Sequence, residues 1–321
     1  MKVLITGGAG FIGSYLAQKY EESSHQVTIL DNFSTGKLRN LEAINFHGET
    51  VSGDIRDSNL VDSLVKDSDL VLHMAAALGV ANIMNSPLES MSTNIVGSEV
   101  VLTAAAKYGK RILIASTSEI YGKNPKQPLS EEDDRVIGNP QNIRWSYSDA
   151  KAIEESMARA LNIQQRLPVT TVRFFNTVGP RQTGQYGMVL PKLVQSALNC
   201  EDLLVHGDGT QSRVFCHVED AVSAVIKLID SDNTIGEVYN VGGSGETTIN
   251  DLAGKIILQS KSTSKIRHIP YTDVYPVGFE DMQRRVPNTS KIQSAIGWVP
   301  KKTLVEIIED VIEYLRTYPE T

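Results

Sequence analysis

The first fourteen residues, MKVLITGGAGFIGS, contain a short apolar run that leads directly into glycines 7, 10 and 13. This pattern predicts a buried strand, a tight turn and the start of a helix, whose backbone N–H groups and positive end can bind a pyrophosphate. Gly7 permits the turn, Gly10 lets the backbone approach the phosphates, and Gly13 lets the helix pack closely on the strand. Asp31 ends the next apolar run, where a carboxylate can bind ribose hydroxyls. We therefore interpret the segment as a dinucleotide-binding turn, with the spacing Gly-x-x-Gly-x-x-Gly in place of the commoner Gly-x-Gly-x-x-Gly.

Apolar runs and amphipathic segments alternate along the first half of the chain. Such alternation predicts β-α-β units, and hence a parallel sheet covered by helices. The apolar runs end near Thr6, Leu30, Val51, His73, Ala115 and Phe175, and the predicted helices among them are 57–66, 87–108 and 147–166. After residue 176 the pattern predicts helices near 188–199, 217–230, 248–259, 290–296 and 304–316, and a strand at 237–241. The predicted fold class is α/β: a Rossmann-type doubly wound parallel sheet with a smaller C-terminal lobe closing over its carboxyl edge.

Composition narrows the classes of function. At 321 residues, the chain can bury a sizeable core. Its net charge of −7 argues against nucleic-acid binding, which favours a basic face. Cys200 and Cys216 are its only cysteines, so neither a disulfide framework nor a cysteine-rich metal site is expected. No apolar stretch approaches the ~20 residues that span a bilayer, and the first strand leaves no room for a signal peptide. We expect a cytoplasmic protein that binds neither membrane nor metal.

A second group of residues carries the chemistry. Tyr147 and Lys151 lie one helical turn apart in YSDAK, so their side chains leave the same helix face. An ammonium beside a phenol favours the phenolate, which lowers the pKa of the tyrosine and makes it a usable base. Thr117, Ser118 and Glu119 follow the strand RILIAS, at the edge where open parallel sheets bind ligands. A lone Tyr-x-x-x-Lys pair often arises by chance on helices, but here it accompanies a dinucleotide turn.

Together these motifs resemble the extended short-chain dehydrogenases/reductases, in particular their nucleotide-sugar epimerase/dehydratase/decarboxylase group. The resemblance covers residues 1 to about 300 in the expected order. It is carried by TGGAGFIG (6–13), DN (31–32), GDIRD (53–57), HMAA (73–76), TSEIYG (117–122), YSDAK (147–151), RFFNTVGPRQ (173–182), GDGTQSR (207–213), HVED (217–220) and RRVP (284–287). It implies an NAD-binding domain over 1–175 and roughly 214–242, and a nucleotide-sugar-binding lobe over 176–213 and 243–321. A nucleotide-diphosphate sugar is then the expected substrate.

The resemblance also implies roles for individual residues. Tyr147 would remove a sugar hydroxyl proton, Lys151 would lower its pKa and hold the nicotinamide ribose, and Thr117 would hydrogen-bond the same sugar oxygen. Asp31 favours NAD over NADP, because a 2′-phosphate would meet its carboxylate. The remaining cofactor contacts that it implies are Gly7, Gly10, Phe11, Ile12, Gly13, Asn32, Asp54, Ile55 and Ala75. The implied substrate contacts are Ser118, Asn176, Arg213 and Arg285, of which the arginines suit phosphate oxygens.

Glu119 bears on which reaction follows oxidation of the sugar at C4 to a ketone. A 4-epimerase needs only the Tyr147–Lys151 pair, a dehydratase uses a glutamate to take the C5 proton, and hexuronate decarboxylases resemble TSE at this strand end. Glu119 therefore favours lyase chemistry, either 4,6-dehydration or C6 decarboxylation, over the alternative of a UDP-hexose 4-epimerase. Decarboxylation would also require a cation near the C6 carboxylate, for which Arg181 and Arg285 are candidates.

Two further expectations concern the whole protein. Some proteins of this fold sense a dinucleotide without catalysis, but they typically lose the Tyr or the Lys, and this chain keeps both. Helices 87–108 and 147–166 are those that pair across dimers in the superfamily, and their alanine-rich stretches suit close helix packing. We therefore predict a catalytic homodimer formed through a helix bundle.

Overall fold

The computed structural model describes residues 1–184, 188–275 and 280–318. Its main sheet has seven parallel strands in the order β3-β2-β1-β4-β5-β6-β11. These strands are β1 (Lys2–Thr6), β2 (Gln26–Asp31), β3 (Glu49–Ser52), β4 (Leu70–His73), β5 (Arg111–Thr117), β6 (Val169–Phe174) and β11 (Val238–Val241). The order reverses between β1 and β4, which is the switch point where such sheets bind ligands. The predicted fold class is confirmed.

Helices cover both faces of this sheet and continue into the C-terminal half. In chain order they are α1 (Phe11–Glu22), α2 (Leu38–Glu42), α3 (Ser58–Asp67), α4 (Val80–Asn85), α5 (Pro87–Ser92), α6 (Ser98–Lys107), α7 (Ser146–Gln165), α8 (Val189–Leu198), α9 (Val218–Ile229), α10 (Ile249–Ser260), α11 (Ser290–Ile296) and α12 (Leu304–Thr317). Short 3-10 turns occupy Ser118–Tyr121, Ile143–Trp145, Asp232–Thr234 and Tyr271–Asp273.

Within the described ranges, three smaller sheets are formed by short strands between Thr177 and Arg285. Their strands are β7 (Thr177–Val178), β8 (Leu203–His206), β9 (Ser212–Val214), β10 (Cys216–His217), β12 (Glu246–Thr248), β13 (Ile266–Ile269) and β14 (Arg284–Arg285). They pair as β10-β7, β13-β8 and the three-stranded β12-β9-β14. The last of these sheets places Arg213 beside Arg285 in register. None of these short strands was predicted from the sequence.

The core follows from the alternation of side chains along the strands. On β1, Val3 and Ile5 enter one apolar cluster, with α1 and α9, while Leu4 enters the cluster on the opposite face, with α3 and α6. A third cluster joins α8, α10 and α12 in the C-terminal half. α12 begins in a capping box, in which the Thr303 hydroxyl accepts from the Glu306 N–H and the Glu306 carboxylate accepts from the Thr303 N–H.

The single helix predicted at 87–108 is divided in the structure. Between α5 and α6 the chain forms a π-helical turn over Thr93–Gly97. Within it, the Asn94 amide donates to the Ala77 carbonyl and accepts from the Ala77 N–H, both at 2.9 Å. A Cβ on Gly97 would lie 2.3 Å from the Ile55 side chain, so the turn is also packed tightly against the loop after β3. These tertiary contacts account for the wider turn, a feature frequent at functional sites.

The other predicted elements agree with the structure to within about two residues, which is the ordinary uncertainty of helix ends. The helix over 290–296 is observed with the same bounds. Among the described residues, no helix is long and apolar enough to cross a membrane. The division into two lobes stays a prediction, and the last residues assigned to the second lobe, 319–321, lie outside the described part of the chain.

Candidate active site

One cavity of about 780 Å³ lies at the carboxyl edge of the main sheet. It extends from the glycine turn, past the ends of β4 and β5, to β9 and β14. The predicted site residues that line it are Gly7, Gly10, Phe11, Ile12, Gly13, Asp31, Asn32, Ile55, Ala75, Thr117, Ser118, Glu119, Tyr147, Asn176, Arg213 and Arg285. Asp54 and Lys151 are not among the lining residues. The fold thus gathers most of the predicted cofactor and substrate contacts around one space.

The glycine turn is built so that a larger residue would not fit. Gly7 has φ +69°, and a Cβ on it would lie 2.7 Å from the Ala75 backbone. A Cβ on Gly13 would lie 2.2 Å from the Gly7 carbonyl oxygen. The helix α1 begins at Phe11 with Gly10 as its N-cap, and no side chain caps it. Its first N–H groups are therefore available to an anion, as a pyrophosphate site requires.

Asp31 lies at the end of β2 and its position is fixed by the backbone. Its carboxylate accepts from the Ala9 N–H at 2.9 Å and from the Phe33 N–H at 2.8 Å. Burial raises its pKa, although the two backbone N–H groups act in the opposite direction. Asp54 is instead held by Arg56, whose hydrogen bonds lower the pKa of Asp54 to about 2. The Asn32 amide donates to the Asp54 carboxylate at 3.4 Å, which connects the two predicted ribose and adenine contacts.

The Tyr147–Lys151 pair differs from the sequence-based expectation in one respect. Lys151 is buried behind the cavity, and its Nζ lies 2.7 Å from the Glu154 carboxylate. Burial, followed by the charges of Glu154 and Glu119, raises the pKa of Tyr147, while a hydrogen bond with Thr117 lowers it. The net direction is therefore opposite to the predicted lowering of the Tyr147 pKa.

Glu119 is the buried carboxylate at the end of β5. Arg144 Nη2 lies 2.7 Å from its Oε2, and Arg285 Nη1 donates to its Oε1 at 2.6 Å. Burial acts to raise the pKa of Glu119, but Arg144 and Arg285 outweigh it and lower that pKa to about 2. The Ser148 hydroxyl donates to the Glu119 carbonyl at 2.9 Å and fixes the backbone. Glu119 is therefore ionised at neutral pH and a weak base.

The predicted substrate arginines lie at the same end of the cavity. Arg213 is buried and donates to both carboxylate oxygens of Asp281, at 2.9 and 3.0 Å. Arg285 also donates to the Ser118 hydroxyl at 3.4 Å, and its buried Nε–H has no hydrogen-bond partner among the described residues. This unpartnered donor is suited to an anionic group of a ligand.

The other two predicted residues, Asn176 and Arg181, contact neighbouring parts of the protein. The Asn176 amide donates to the Val214 carbonyl at 2.9 Å. Arg181, the other candidate cation for a sugar carboxylate, instead stacks on the Tyr15 ring and donates to Gln18 on α1. Arg181 also lines the cavity, but of the two candidates it is Arg285 that contacts Glu119.

Sequence reasoning missed three charged residues at or near this site, which are Arg144, Glu154 and Asp281. Arg144 lies in the 3-10 turn Ile143–Trp145, directly before α7. Its burial beside Trp145, another fully buried side chain, could not be inferred from a polar loop. Glu154 follows Lys151 at i+3, and this spacing was the one available signal for it.

The chain is similar in sequence to known nucleotide-sugar enzymes. A sequence profile described as "NAD dependent epimerase/dehydratase family" matches residues 3–242. The chain is 41% identical to a UDP-N-acetyl-alpha-D-glucosaminuronate decarboxylase of Bacillus cytotoxicus, over 98% of each chain. It is 34% identical to UDP-glucuronic acid decarboxylase 1 of Danio rerio, over 98% of this chain and 72% of that protein.

A solved structure supports the same grouping. The UDP-glucuronic acid 4-epimerase of Bacillus cereus, in complex with UDP-glucuronic acid and NAD, superposes with a TM-score of 0.89. It shares 25% sequence identity and the alignment covers 99% of each chain. The cofactor is NAD, and the open N-terminus of α1 and the fixed carboxylate of Asp31 fit a pyrophosphate and a ribose.

Proposed function

Because the chain belongs to the NAD-dependent epimerase/dehydratase family, we propose that it is a decarboxylase of UDP-linked hexuronates, with UDP-N-acetylglucosaminuronate as the preferred substrate. The preference for this sugar rests on the 41% identity to the Bacillus cytotoxicus enzyme. The single observation that carries the reaction type is the pair of arginines on Glu119.

The arginine pair separates decarboxylation from dehydration. A dehydratase needs a glutamate that accepts the C5 proton, and a carboxylate whose pKa is lowered to about 2 is a poor acceptor. Loss of carbon dioxide from a 4-keto uronate needs no such base, because the electrons of the C5–C6 bond pass to the ketone. It does need a cation that binds the sugar carboxylate, and the Nε–H of Arg285 is available for this contact.

The remaining residues have roles at stated atoms. Bound NAD supplies reversible acceptance of the hydride from C4. Tyr147 in its ionised form takes the proton of the C4 hydroxyl and later returns it. Burial opposes this ionisation, and the hydrogen bond with Thr117 and the ammonium of Lys151 favour it. Glu119 fixes the guanidinium groups of Arg144 and Arg285. One proton from solvent replaces the lost carboxylate at C5, so substrate and a proton yield carbon dioxide and a pentose derivative, without net oxidation.

A 4-epimerase is the second candidate, because Thr117, Tyr147 and Lys151 alone suffice for it and a uronate 4-epimerase shares the fold. The two functions are separated by incubating the protein and NAD with UDP-N-acetylglucosaminuronate, UDP-glucuronate and UDP-glucose and weighing the products. We expect loss of carbon dioxide from the uronates and no reaction of UDP-glucose. Unchanged mass with new sugar proton couplings would establish the epimerase instead.

We also propose that the protein is a cytoplasmic homodimer. The cytoplasm is supported by two cysteines that are both free, Cys200 and Cys216. The dimer is supported by exposed apolar side chains on α5, on the π-helical turn and on α7, which we call the apolar face. It comprises Leu88 (81% exposed), Val96 (43%), Ile153 (43%) and Ile163 (65%).

A further inference from the structure

A buried ion pair lies directly behind the catalytic tyrosine. Lys151 and Glu154 are both on α7, their side chains are each 1% exposed, and Nζ lies 2.7 Å from Oε2. Such a pair is costly to bury, because both charges lose their hydration. The neighbouring Glu155 points elsewhere, with its carboxylate bound to Arg173 at 2.7 Å. Glu154 thus has no second basic partner among the ion pairs of the described residues.

The groups around Lys151 leave Glu154 as its counter-ion. From β4, His73 faces the lysine, but burial, helped by the charge of Lys151, lowers the pKa of His73 to about 3, so the imidazole is neutral. His73 instead lies in hydrogen-bond contact with Thr6 on one side and, from α6, with Ser98 on the other, at 2.7 and 3.0 Å. Burial raises the pKa of Glu154, while the charge of Lys151 and hydrogen bonds from Lys151 and Ser98 act to lower it.

Three further titratable groups lie in this region. Tyr147 lies on the same helix and is affected by the charges of both Glu154 and Glu119, and Glu155 lies beside Glu154. Glu119 is already bound by two arginines and Glu155 by a third. Each of the other nearby carboxylates is therefore compensated by its own partner.

We propose that Glu154 is a positioning residue for the catalytic Lys151, holding its ammonium group charged and fixed behind Tyr147. An unpaired ammonium in this environment would lose its proton more readily, since burial disfavours the charged form. An ammonium has three donors, and one bond to Glu154 leaves two for other acceptors, including ribose hydroxyls. The inference rests on the Tyr147–Lys151 chemistry of the proposed function but on no particular sugar.

The test follows the charge of Lys151 in the protein without cofactor or substrate. The protein is made with lysine that carries carbon-13 at Cε, and its NMR signals are recorded. The Lys151 signal is the one missing in Lys151→Met, and its position is followed between about pH 6 and pH 11. In Glu154→Gln, which keeps the side-chain shape, we expect the midpoint of Lys151 to fall by about one pH unit or more. Glu154→Asp keeps the negative charge, so in this variant the midpoint of Lys151 should fall less. It serves in place of the glutamine variant if that variant does not fold.

Glu155→Gln is the matched control, because it removes a carboxylate from the adjacent position on the same helix. It should leave the Lys151 midpoint unchanged while lowering stability through Arg173. With NAD and substrate, Glu154→Gln should shift the pH profile of kcat, because the charge that acts on Tyr147 changes, and Glu155→Gln should leave that profile in place. A Lys151 signal that titrates at the same pH in Glu154→Gln as in the parent, or that Glu155→Gln moves equally, overturns the proposal. Because this signal needs no turnover, failure of the proposed decarboxylation would be seen separately.

Discussion

At the scale of single residues, we propose Tyr147 as the group on which catalysis depends. Tyr147→Phe removes the hydroxyl that accepts the sugar proton and keeps the ring. We expect kcat to fall by about 10²–10⁴-fold, the usual contribution of a general base, while NAD binding persists. Product formation and a calorimetric titration with NAD measure the two effects. Full turnover by this variant would mean that the base lies elsewhere, and absence of turnover in the parent with every nucleotide sugar would favour a dinucleotide sensor.

Arg144 provides a second test at this scale, because it holds one side of the buried Glu119. Arg144→Met removes one partner of that carboxylate while Arg285 still compensates its charge, so we expect the free energy of unfolding to fall by about 1–3 kcal/mol. Urea unfolding at neutral pH measures the loss. The control is Arg284→Met, which removes an arginine whose side chain is half exposed in its pair with Glu246, and it should change stability little. Equal losses in the two variants would contradict the assigned burial of the Glu119 pairs.

The same pair predicts how stability depends on pH. The pKa of Glu119 is about 2 in the folded protein, below its ordinary value of 4.5, so the unfolded chain binds its proton more readily. The stabilisation by Glu119 is therefore complete above its ordinary pKa and is lost as the pH falls from there toward 2. Arg144→Met should raise the pKa of Glu119 and move acid unfolding, followed by circular dichroism, to higher pH. If Arg144→Met unfolded at the same acid pH as the parent, the proposed link between Glu119 protonation and stability would be contradicted.

At the scale of elements, the turn between β1 and α1 is tested by two glycines that both lie in helices. Gly13→Ala would bring a Cβ to 2.2 Å from the Gly7 carbonyl oxygen, so the turn must open. We expect NAD affinity to fall at least about tenfold, a change of roughly 1.4 kcal/mol. Gly254→Ala on α10 meets nothing within 4 Å and should stabilise the protein by about 0.5–1 kcal/mol, with NAD affinity unchanged. Titration with NAD and urea unfolding are measured for both variants. Equal NAD affinities of the two variants would contradict the assignment of the turn between β1 and α1 to NAD binding.

Elements with strong local signals were predictable from the sequence, and those shaped by distant contacts were not. The strand β1 and the helix over Ser290–Ile296 follow from their own apolar pattern. The π-helical turn does not, because Asn94 is engaged by the Ala77 backbone, which belongs to another segment. For the same reason, Arg144 was missed as a partner of Glu119: its contact exists only once β5 and the turn before α7 are brought together.

At the scale of the whole molecule, the apolar face predicts association of two copies. Replacing Leu88 and Ile153 together by glutamate places charges on this face and should yield a monomer at micromolar concentration in light scattering. Leu258→Glu is the control, because Leu258 is 78% exposed on α10, away from α5 and α7, and should leave the parent's mass unchanged. A parent protein that is itself monomeric at this concentration would refute the dimer.

The whole fold brings one cofactor turn, one tyrosine and one arginine-bound carboxylate to a single cavity, and the central claim is that these release carbon dioxide from a uronate. The most direct measurement uses UDP-N-acetylglucosaminuronate carrying carbon-13 at C6, with NAD, and follows both the label and the absorbance of NADH. We predict that the label leaves as carbon dioxide, that the product lacks C6, and that NADH does not accumulate. A label retained in the sugar, or one NADH formed for each substrate consumed, would contradict the account.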